Sequence, residues 1–444
     1  MTLSGRLADF IANTQFGDLP AEVVDCAKHC VLDWLGSAIA GSEKPPARMV
    51  HQLVQELGGE KQATLITGGR TSVANAVFVN GVASHIVELD DIHKTSIVHA
   101  ATVVIPVALA VAEWLGKSGR DLITAIAIGY DVCFRIGEAV GPSHYKFWHN
   151  TATCGTFGAA AAAAKLLDLE EGRIVHALGN AGTQAAGLWE FIVDGAMTKQ
   201  LHTGKAAMNG LLAALLAQKG FTGPTKILEG DRGFFKAMAE TYDESRITDR
   251  LGEHFKIVEN SFKIHASCRH THPAVDLALQ LKDERSIQPG EIHRIRVGGY
   301  RAVVDVTDNP DPRSVYAAKF SCQFCVSLAL VKGRAGLDDF NERTLWDPQI
   351  RSLMERIEVV VDPRIDADYP DQWGSTLEVE TNRGERYRLS TAYPKGDPEN
   401  PVSSEELIGK FKRLTARLPE GEAERFVDRI LRLDSMPSAD LFWR

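Results

Sequence analysis

Cysteine is scarce in this chain of 444 residues: there are 7, at positions 26, 30, 133, 154, 268, 322 and 325. An odd, small number in so long a chain argues against a disulfide framework. Cys322 and Cys325 make one CxxC pair, but no second pair completes a zinc site. They fall in an apolar run of helical pattern and read as small core thiols. Long apolar runs are missing too. The most lipid-like, 100–112, is too short to span a bilayer and ends at Glu113. The opening MTLSGRLADF lacks a basic segment leading into an apolar one, so no signal peptide is expected. Positive charge is not in excess either. A formal net charge of -9 argues against a nucleic acid or an anionic membrane as partner. No GxxxxGK[ST] occurs, no GxGxxG follows a strand, and no GxSxG elbow is present, so nothing points to a nucleotide fold or a serine hydrolase. Internal repeats and low-complexity tails are absent.

What is present is ordinary globular composition, 44% hydrophobic and 24% charged, with length for two or three domains. A cytoplasmic enzyme or binding protein fits. Helical spacing runs through 3–12, from Pro20 to a stop at Gly41, and through 47–57, 72–85, 102–115, 120–139, 170–186 and 199–219. The segment 102–115 is apolar nearly all round, as buried helices are. Six successive alanines at 159–164 predict a thin helix at the centre of a bundle. A loop rich in histidine and aromatics, 141–153, is expected before it. Strand patterns begin only after Glu259, at 292–297, 357–361, 376–380 and 387–390, among helices at 273–282, 315–332 and 347–357. The linker 395–401 then leads into a helix with the capping box Ser403…Glu406 and a last helix at 420–433. The expected fold is mainly α. A large all-α domain is formed by both chain ends, 1–258 and 395–444, with a smaller α+β domain, 259–394, inserted.

Four clusters carry chemistry. The first lies in SHIVELDDIHKTSIVH, residues 84–99, and holds Asp90, Asp91, His93, Thr95 and His99. If that stretch is helical, Glu88, Asp91, Thr95 and His99 share one stripe; a loop after Asp91 is the alternative. Its charges either serve a site or are solvated at an exposed turn. The second cluster is His144, Tyr145, Trp148 and His149; the third is Lys199, His202 and Lys205 in KQLHTGK; the fourth is Lys263, His265, Cys268, Arg269, His270 and His272 in KIHASCRHTH. The bland readings are packed loop residues for the second and a solvated helix face for the third. The fourth forms a local positive patch on an acidic protein, and a helix start at Pro273 adds its dipole, favouring an anion.

ELDDIH…VHA, GYDVCFRIG, WHNTATCGTFGAAAAAAKLL, KQLHTGKAAMNG, KIHASCRHTHPAVD and YAAKFSCQF occur in the order found in the MmgE/PrpD family, which the chain resembles over nearly its whole length. That family includes 2-methylcitrate dehydratase, cis-aconitate decarboxylase and iminodisuccinate epimerase. The resemblance implies an all-α domain with an α+β lid, a site in the cleft between them, a homodimer and no required cofactor or metal. It places active-site positions on Asp91 or its neighbours, His99, His149, Lys199 and Lys263. Two departures stand out. Ala100 follows His99 where family members commonly have proline, and Cys268 stands where cis-aconitate decarboxylases have histidine.

Such enzymes move a proton at a carbon next to a carboxylate, and the intermediate gathers negative charge. Fixed cations must meet that charge, a task suited to Lys199, Lys263 and Arg269. His99, His149 and Tyr145 suit acid–base transfer, and Asp91 suits orienting a histidine. Asp91, Thr95, His93, His202, Arg269 and His270 are the expected binding residues for a small di- or tricarboxylate. Dehydration, decarboxylation and epimerisation all fit. The competing classes are a metallohydrolase using Asp90, Asp91, His93 and His99, and a non-catalytic carboxylate-binding relative.

Overall fold

In the computed structural model, which describes residues 1–439, the chain is 58% helix and 8% strand, so the mainly α expectation holds. It divides into two compact units. One comprises Met1–Ile86, Asp90–Asn260 and the chain from Ser403 to the last described residue; the other comprises Val87–Leu89 and Ser261–Val402.

The first unit is helical apart from a two-residue ribbon, β1 (Ala63–Thr64) with β2 (Arg70–Thr71). Its principal helices are α1 (Leu3–Asn13), α2 (Ala21–Ser42), α3 (Pro45–Leu57), α4 (Val73–Ser84), α5 (Ala101–Leu115), α6 (Gly119–Tyr145), α7 (Asn150–Leu166), α8 (Glu171–Gly182), α9 (Phe191–Asp194) and α10 (Thr198–Gln218). The alanine helix α7 is the axis. All of it is buried except Lys165, and it packs against α5, α6, α8 and α10. Small side chains allow this. A Cβ on Gly158 would lie 2.6 Å from the Gly129 carbonyl of α6, and one on Gly81 of α4 would lie 2.9 Å from the Gly204 Cα of α10. The second crossing brings the end of α4 and the beginning of α10 to one place. Val103, Val104, Ile105 and Val107 of α5 are fully buried, each contributing roughly 1.5–3 kcal/mol of transfer free energy. The C-terminal part joins this unit through helix Ser404–Leu414, capped reciprocally by Ser403 and Glu406 as expected. That helix packs on α2 and pairs Lys410 with Asp33 at 2.5 Å, both buried.

The second unit holds a four-stranded sheet in the order β4-β3-β5-β6, with β3 (Ile292–Gly299), β4 (Ile357–Val361), β5 (Ser375–Thr381) and β6 (Arg386–Thr391). β3 runs parallel to β4 and antiparallel to β5, and β5 is antiparallel to β6. Helix His272–Arg285 packs on β5 and β6 and against helix Cys322–Lys332. Cys322 and Cys325 are buried in the latter, as core thiols are.

Two local expectations are corrected. The proposed loop 141–153 is mostly helix: after a turn at Gly141 (φ 58°) the chain resumes as α6 through Tyr145, and α7 starts at Asn150. Glycine takes the left-handed conformation there and Pro142 restarts the helix in its first turn. The single helix expected over 315–332 is two, Val315–Ala318 and Cys322–Lys332, the second capped by Ser321. The linker 395–401 is irregular, yet Asp397 within it is 1% exposed.

Candidate functional site

After α4 the chain leaves helical geometry at His85 and stays irregular to Ala100, so the helical stripe does not form. Ile97 takes φ 52°, and His93 and Val98 form an isolated bridge. The solvated-turn reading fails. His85, Asp90, Asp91, His93 and Ser96 are 0% exposed, Glu88 is 1% and His99 8%. Buried ionisable groups must be matched by partners, and the partners define the site.

Asp90 is the hinge of it. His85 Nδ1 lies 2.8 Å from Asp90 Oδ2, and His99 Nδ1 lies 2.9 Å from the same oxygen. His99 Nδ1 also lies 2.6 Å from the Asp91 backbone carbonyl. Carboxylate and carbonyl oxygens only accept, so both Nδ1 atoms carry the hydrogen and donate it. In the neutral form of either ring the lone pair is then on Nε2. His99 is fixed further by its backbone N–H, which donates to Thr151 Oγ1 of α7 at 3.0 Å. The Asn150 amide donates to the Ser96 carbonyl at 2.7 Å.

His149, at the N-cap of α7, stacks on His85 with centroids 5.7 Å apart and planes 18° apart. Its Nδ1 is 3.3 Å from Nδ1 of His202 in the first turns of α10. Burial holds the His149 imidazole well below its ordinary pKa, reinforced by the charges of His85, His202, Lys199 and His99. Burial, then His85 and Lys199, lowers His202 to about 4. Both rings are therefore neutral at pH 7. Lys199 is 4% exposed. Trp189 and Phe191 close on His149 at 5.1 and 6.2 Å, and Tyr145 meets Trp189 edge-on at 5.0 Å. Buried polar atoms here without a hydrogen-bond partner among the described residues include His85 Nε2, Asn150 Oδ1 and Gln200 Oε1. Orphaned buried groups are rare and cluster where ligands bind.

The structure thus brings together His99, His149, Lys199 and His202, with Tyr145 one ring away and half-buried Thr95 in the same loop as His99. His85 and Asp90 complete the group; Asp90 was named from sequence in the first cluster and as a metallohydrolase ligand, whereas His85 was not placed among the site residues. The available signal was a histidine closing an apolar helix five residues before an Asp pair. Asp91 turns its carboxylate elsewhere: Tyr130 donates to it at 2.6 Å, the Asn260 amide at 2.8 Å and the Ala101 N–H at 3.1 Å. Burial pushes it up to about 7, against the Tyr130 hydrogen bond and helped by the charge of Asp33. His93 uses Nδ1 on Ser96 (2.8 Å) and Nε2 on Glu259 (3.1 Å).

Lys263, Arg269 and His270 belong to the second unit, each engaged there. Lys263 Nζ lies 3.3 Å from Glu88 Oε2 with both side chains 1% exposed, Arg269 pairs with Asp397, and His270 lies 2.7 Å from the Tyr300 hydroxyl and stacks on Trp373. The expected positive patch is therefore matched by buried acids.

Two groups in the first unit bring ligand-type atoms within 4.8 Å of one another: His85, Asp90 and His99, and separately His93, Glu138 and Glu259. In the first, both Nδ1 atoms sit at hydrogen-bond distance from one carboxylate oxygen. In the second, Lys256 Nζ lies 3.1 Å from Glu138 and 3.3 Å from Glu259 and already supplies the cation. The set Asp90, Asp91, His93 and His99 imagined for a metallohydrolase does not gather about one point, because His93 falls in the other group and Asp91 in neither.

The helical unit thus holds a buried cluster of imidazoles and a carboxylate beside a buried lysine, groups of the types that acid–base chemistry uses. Comparison with known proteins gives the family. Residues 5–246 match the MmgE/PrpD N-terminal domain and residues 265–435 the MmgE/PrpD C-terminal domain. The chain belongs to the MmgE/PrpD family. It is 28% identical to the cis-aconitate decarboxylase-like protein oryM of Aspergillus oryzae, over 99% of this chain and 95% of that protein. It is 27% identical to cis-aconitate decarboxylase of Homo sapiens over 94% of this chain and 88% of that one. To 2-methylcitrate dehydratase of Salmonella typhimurium it is 23% identical, over 97% and 94%. No helix among the described residues is long and apolar enough to cross a membrane.

Proposed function

We propose that the chain is a lyase acting on a small tricarboxylate, or a closely related dicarboxylate, by moving a proton at a carbon next to a carboxylate. The observation that carries this is the buried set His85–Asp90–His99–His149–His202 beside Lys199. A neutral, buried His149 is ready to accept a proton; His99, its ring held by the Asp91 carbonyl beside Asp90, is ready to accept or return one. Lys199 offers fixed positive charge to the carboxylate on which charge builds. In dehydration the C–H proton goes to an imidazole, its electron pair forms the new double bond, and the β-hydroxyl leaves as water after protonation. In decarboxylation the C–C electron pair stays on the substrate when carbon dioxide leaves, and an imidazolium supplies the proton that replaces it. Full-length similarity to both decarboxylases and a dehydratase supports a lyase over an epimerase. Lys263, Arg269 and His270 remain as further carboxylate-binding candidates in this reading, as do Tyr145, Thr95, His93 and Asp91.

The test is incubation of the purified chain with cis-aconitate and with 2-methylcitrate, followed by NMR. Release of carbon dioxide from the first or water from the second is the expected result; neither, with no binding of either acid, overturns the reading. The same proposal includes a homodimer working in the cytoplasm, with the α+β unit as its inserted lid domain. Light scattering tests the first, and cell fractionation the second.

A further inference from the structure

Three fully buried histidines outside the cluster use both ring nitrogens. His144 lies 2.9 Å from the Met238 carbonyl through Nδ1 and 2.7 Å from Thr153 Oγ1 through Nε2. His93 contacts Ser96 and Glu259, and His272 contacts Arg269 (3.0 Å) and the Ser267 carbonyl (3.3 Å). His85 breaks the pattern. It is 0% exposed, its Nδ1 is engaged by Asp90, and its Nε2 has no hydrogen-bond partner among the described residues. A core histidine satisfied on one side only is a cost without a return, unless something else meets that nitrogen. Its place in the cluster says what. The ring centroid lies 4.9 Å from that of His99 and 5.7 Å from that of His149.

We propose that His85 is a catalytic residue, a second proton-exchanging base coupled to His99 through their shared Asp90, with its Nε2 meeting the bound carboxylic acid. This deepens the lyase reading and rests on it. Asp90 Oδ2 accepts from His85 Nδ1–H and lies 2.9 Å from His99 Nδ1, whose hydrogen goes to the Asp91 carbonyl; both tautomers are thereby fixed, and the Nε2 of His85 is left as a base. One carboxylate between two rings stabilises one added proton well; a second proton would set two like charges about 5 Å apart. The two imidazoles therefore alternate. When the C–H bond breaks, its electron pair stays with the substrate carbon and the proton forms an N–H bond at one Nε2, while the other ring stays neutral. The reverse step returns that proton to carbon or to the leaving hydroxyl.

The test uses the full chain with 15N-labelled imidazoles and tricarballylate, an unreactive tricarboxylate, as probe. Adding it to the wild type is expected to shift the His85 Nε2 resonance, assigned by its loss in His85→Asn. Asparagine places an amide N–H where Nδ1–H stood and so keeps the Asp90 bond, but has nothing in place of Nε2. His85→Asn should bind tricarballylate within about 3-fold of wild type and lose about 10²-fold or more in kcat on cis-aconitate or 2-methylcitrate. A purely structural His85 predicts the opposite: rescue by asparagine and no response of Nε2. Probe binding with an unmoved His85 resonance, or wild-type kcat in His85→Asn, overturns this inference alone. A wild type that binds no tricarboxylate overturns the lyase reading and this inference with it.

Discussion

Two clusters of histidine and cation are buried in this protein, and they are built on opposite plans. In the second unit the cations of the KIHASCRHTH run meet acids: Lys263 with Glu88, Arg269 with Asp397, and His265 with Asp276 at 2.8 Å. In the first unit His85 and His99 meet one carboxylate oxygen of Asp90, His149 stacks on His85 and touches His202, and Nε2 of His85 has no hydrogen-bond partner among the described residues. Both clusters looked alike as sequence, short runs dense in His and Lys. The difference teaches that charge density in the sequence marks burial, and that the structure is needed to see which buried groups a neighbour already meets. A closed network stabilises a fold by matching what it desolvates; an open one leaves donors and acceptors for a ligand to match.

The largest effect that would test this contrast is on stability. Arg269→Met leaves Asp397 buried and unpaired and should cost about 3–5 kcal/mol in urea denaturation, while Arg269→Met with Asp397→Leu should recover most of it. A small loss in the single variant would mean that the network is not closed. Next is His99→Gln. Turnover should fall by about 10²-fold or more with stability little changed; wild-type turnover would remove His99 from acid–base work.

The third effect is a pH profile. His144 and His202 are lowered to about 4 by burial, whereas an unfolded histidine titrates near 6.5. The unfolded chain binds more protons between those values, so stability falls as pH drops from about 6.5 towards 4. Asp91 has the opposite sign. Burial raises it to about 7 from an unfolded value near 3.9, so its contribution to stability falls as pH rises from about 4 through 7. Denaturation midpoints across pH 4.5–8 should therefore peak near 6.5, and Asp91→Asn should flatten the alkaline side. An unchanged alkaline side in that variant would contradict the assignment. The smallest effect is on the exposed sheet face, where Arg388 lies 3.5 Å from Glu378 with both side chains well exposed. Arg388→Ala should shift stability by less than about 1 kcal/mol; a larger loss would show that this surface, too, is a closed network.

Much of the architecture was readable because it follows from periodicity. Helix α5, α10 and all four strands of the sheet fall within two residues of where apolar spacing puts them. The segment 141–153 was misread because Gly, Pro, Ser and His signal a loop by composition, although one glycine in left-handed geometry suffices to turn the helix and let it resume. His99, His149, Lys199 and His202 were legible as candidates from residue type and motif. His85 was not, because a single histidine at the end of an apolar helix has no distinguishing spacing.

The amino-acid order alone determined that the chain folds mainly as helices with a late α+β segment, that it lies in the MmgE/PrpD family, and which short runs carry its ionisable groups; these follow from local pattern and residue chemistry. Only the tertiary structure decided that Asp90 rather than Asp91 joins two imidazoles, that the KIHASCRHTH run is neutralised by its own acids, and that one nitrogen of His85 goes unmatched. Such facts depend on which side chains become neighbours once helices pack, and glycine and alanine surfaces set that packing through distances of an ångström that no spacing rule in the chain encodes.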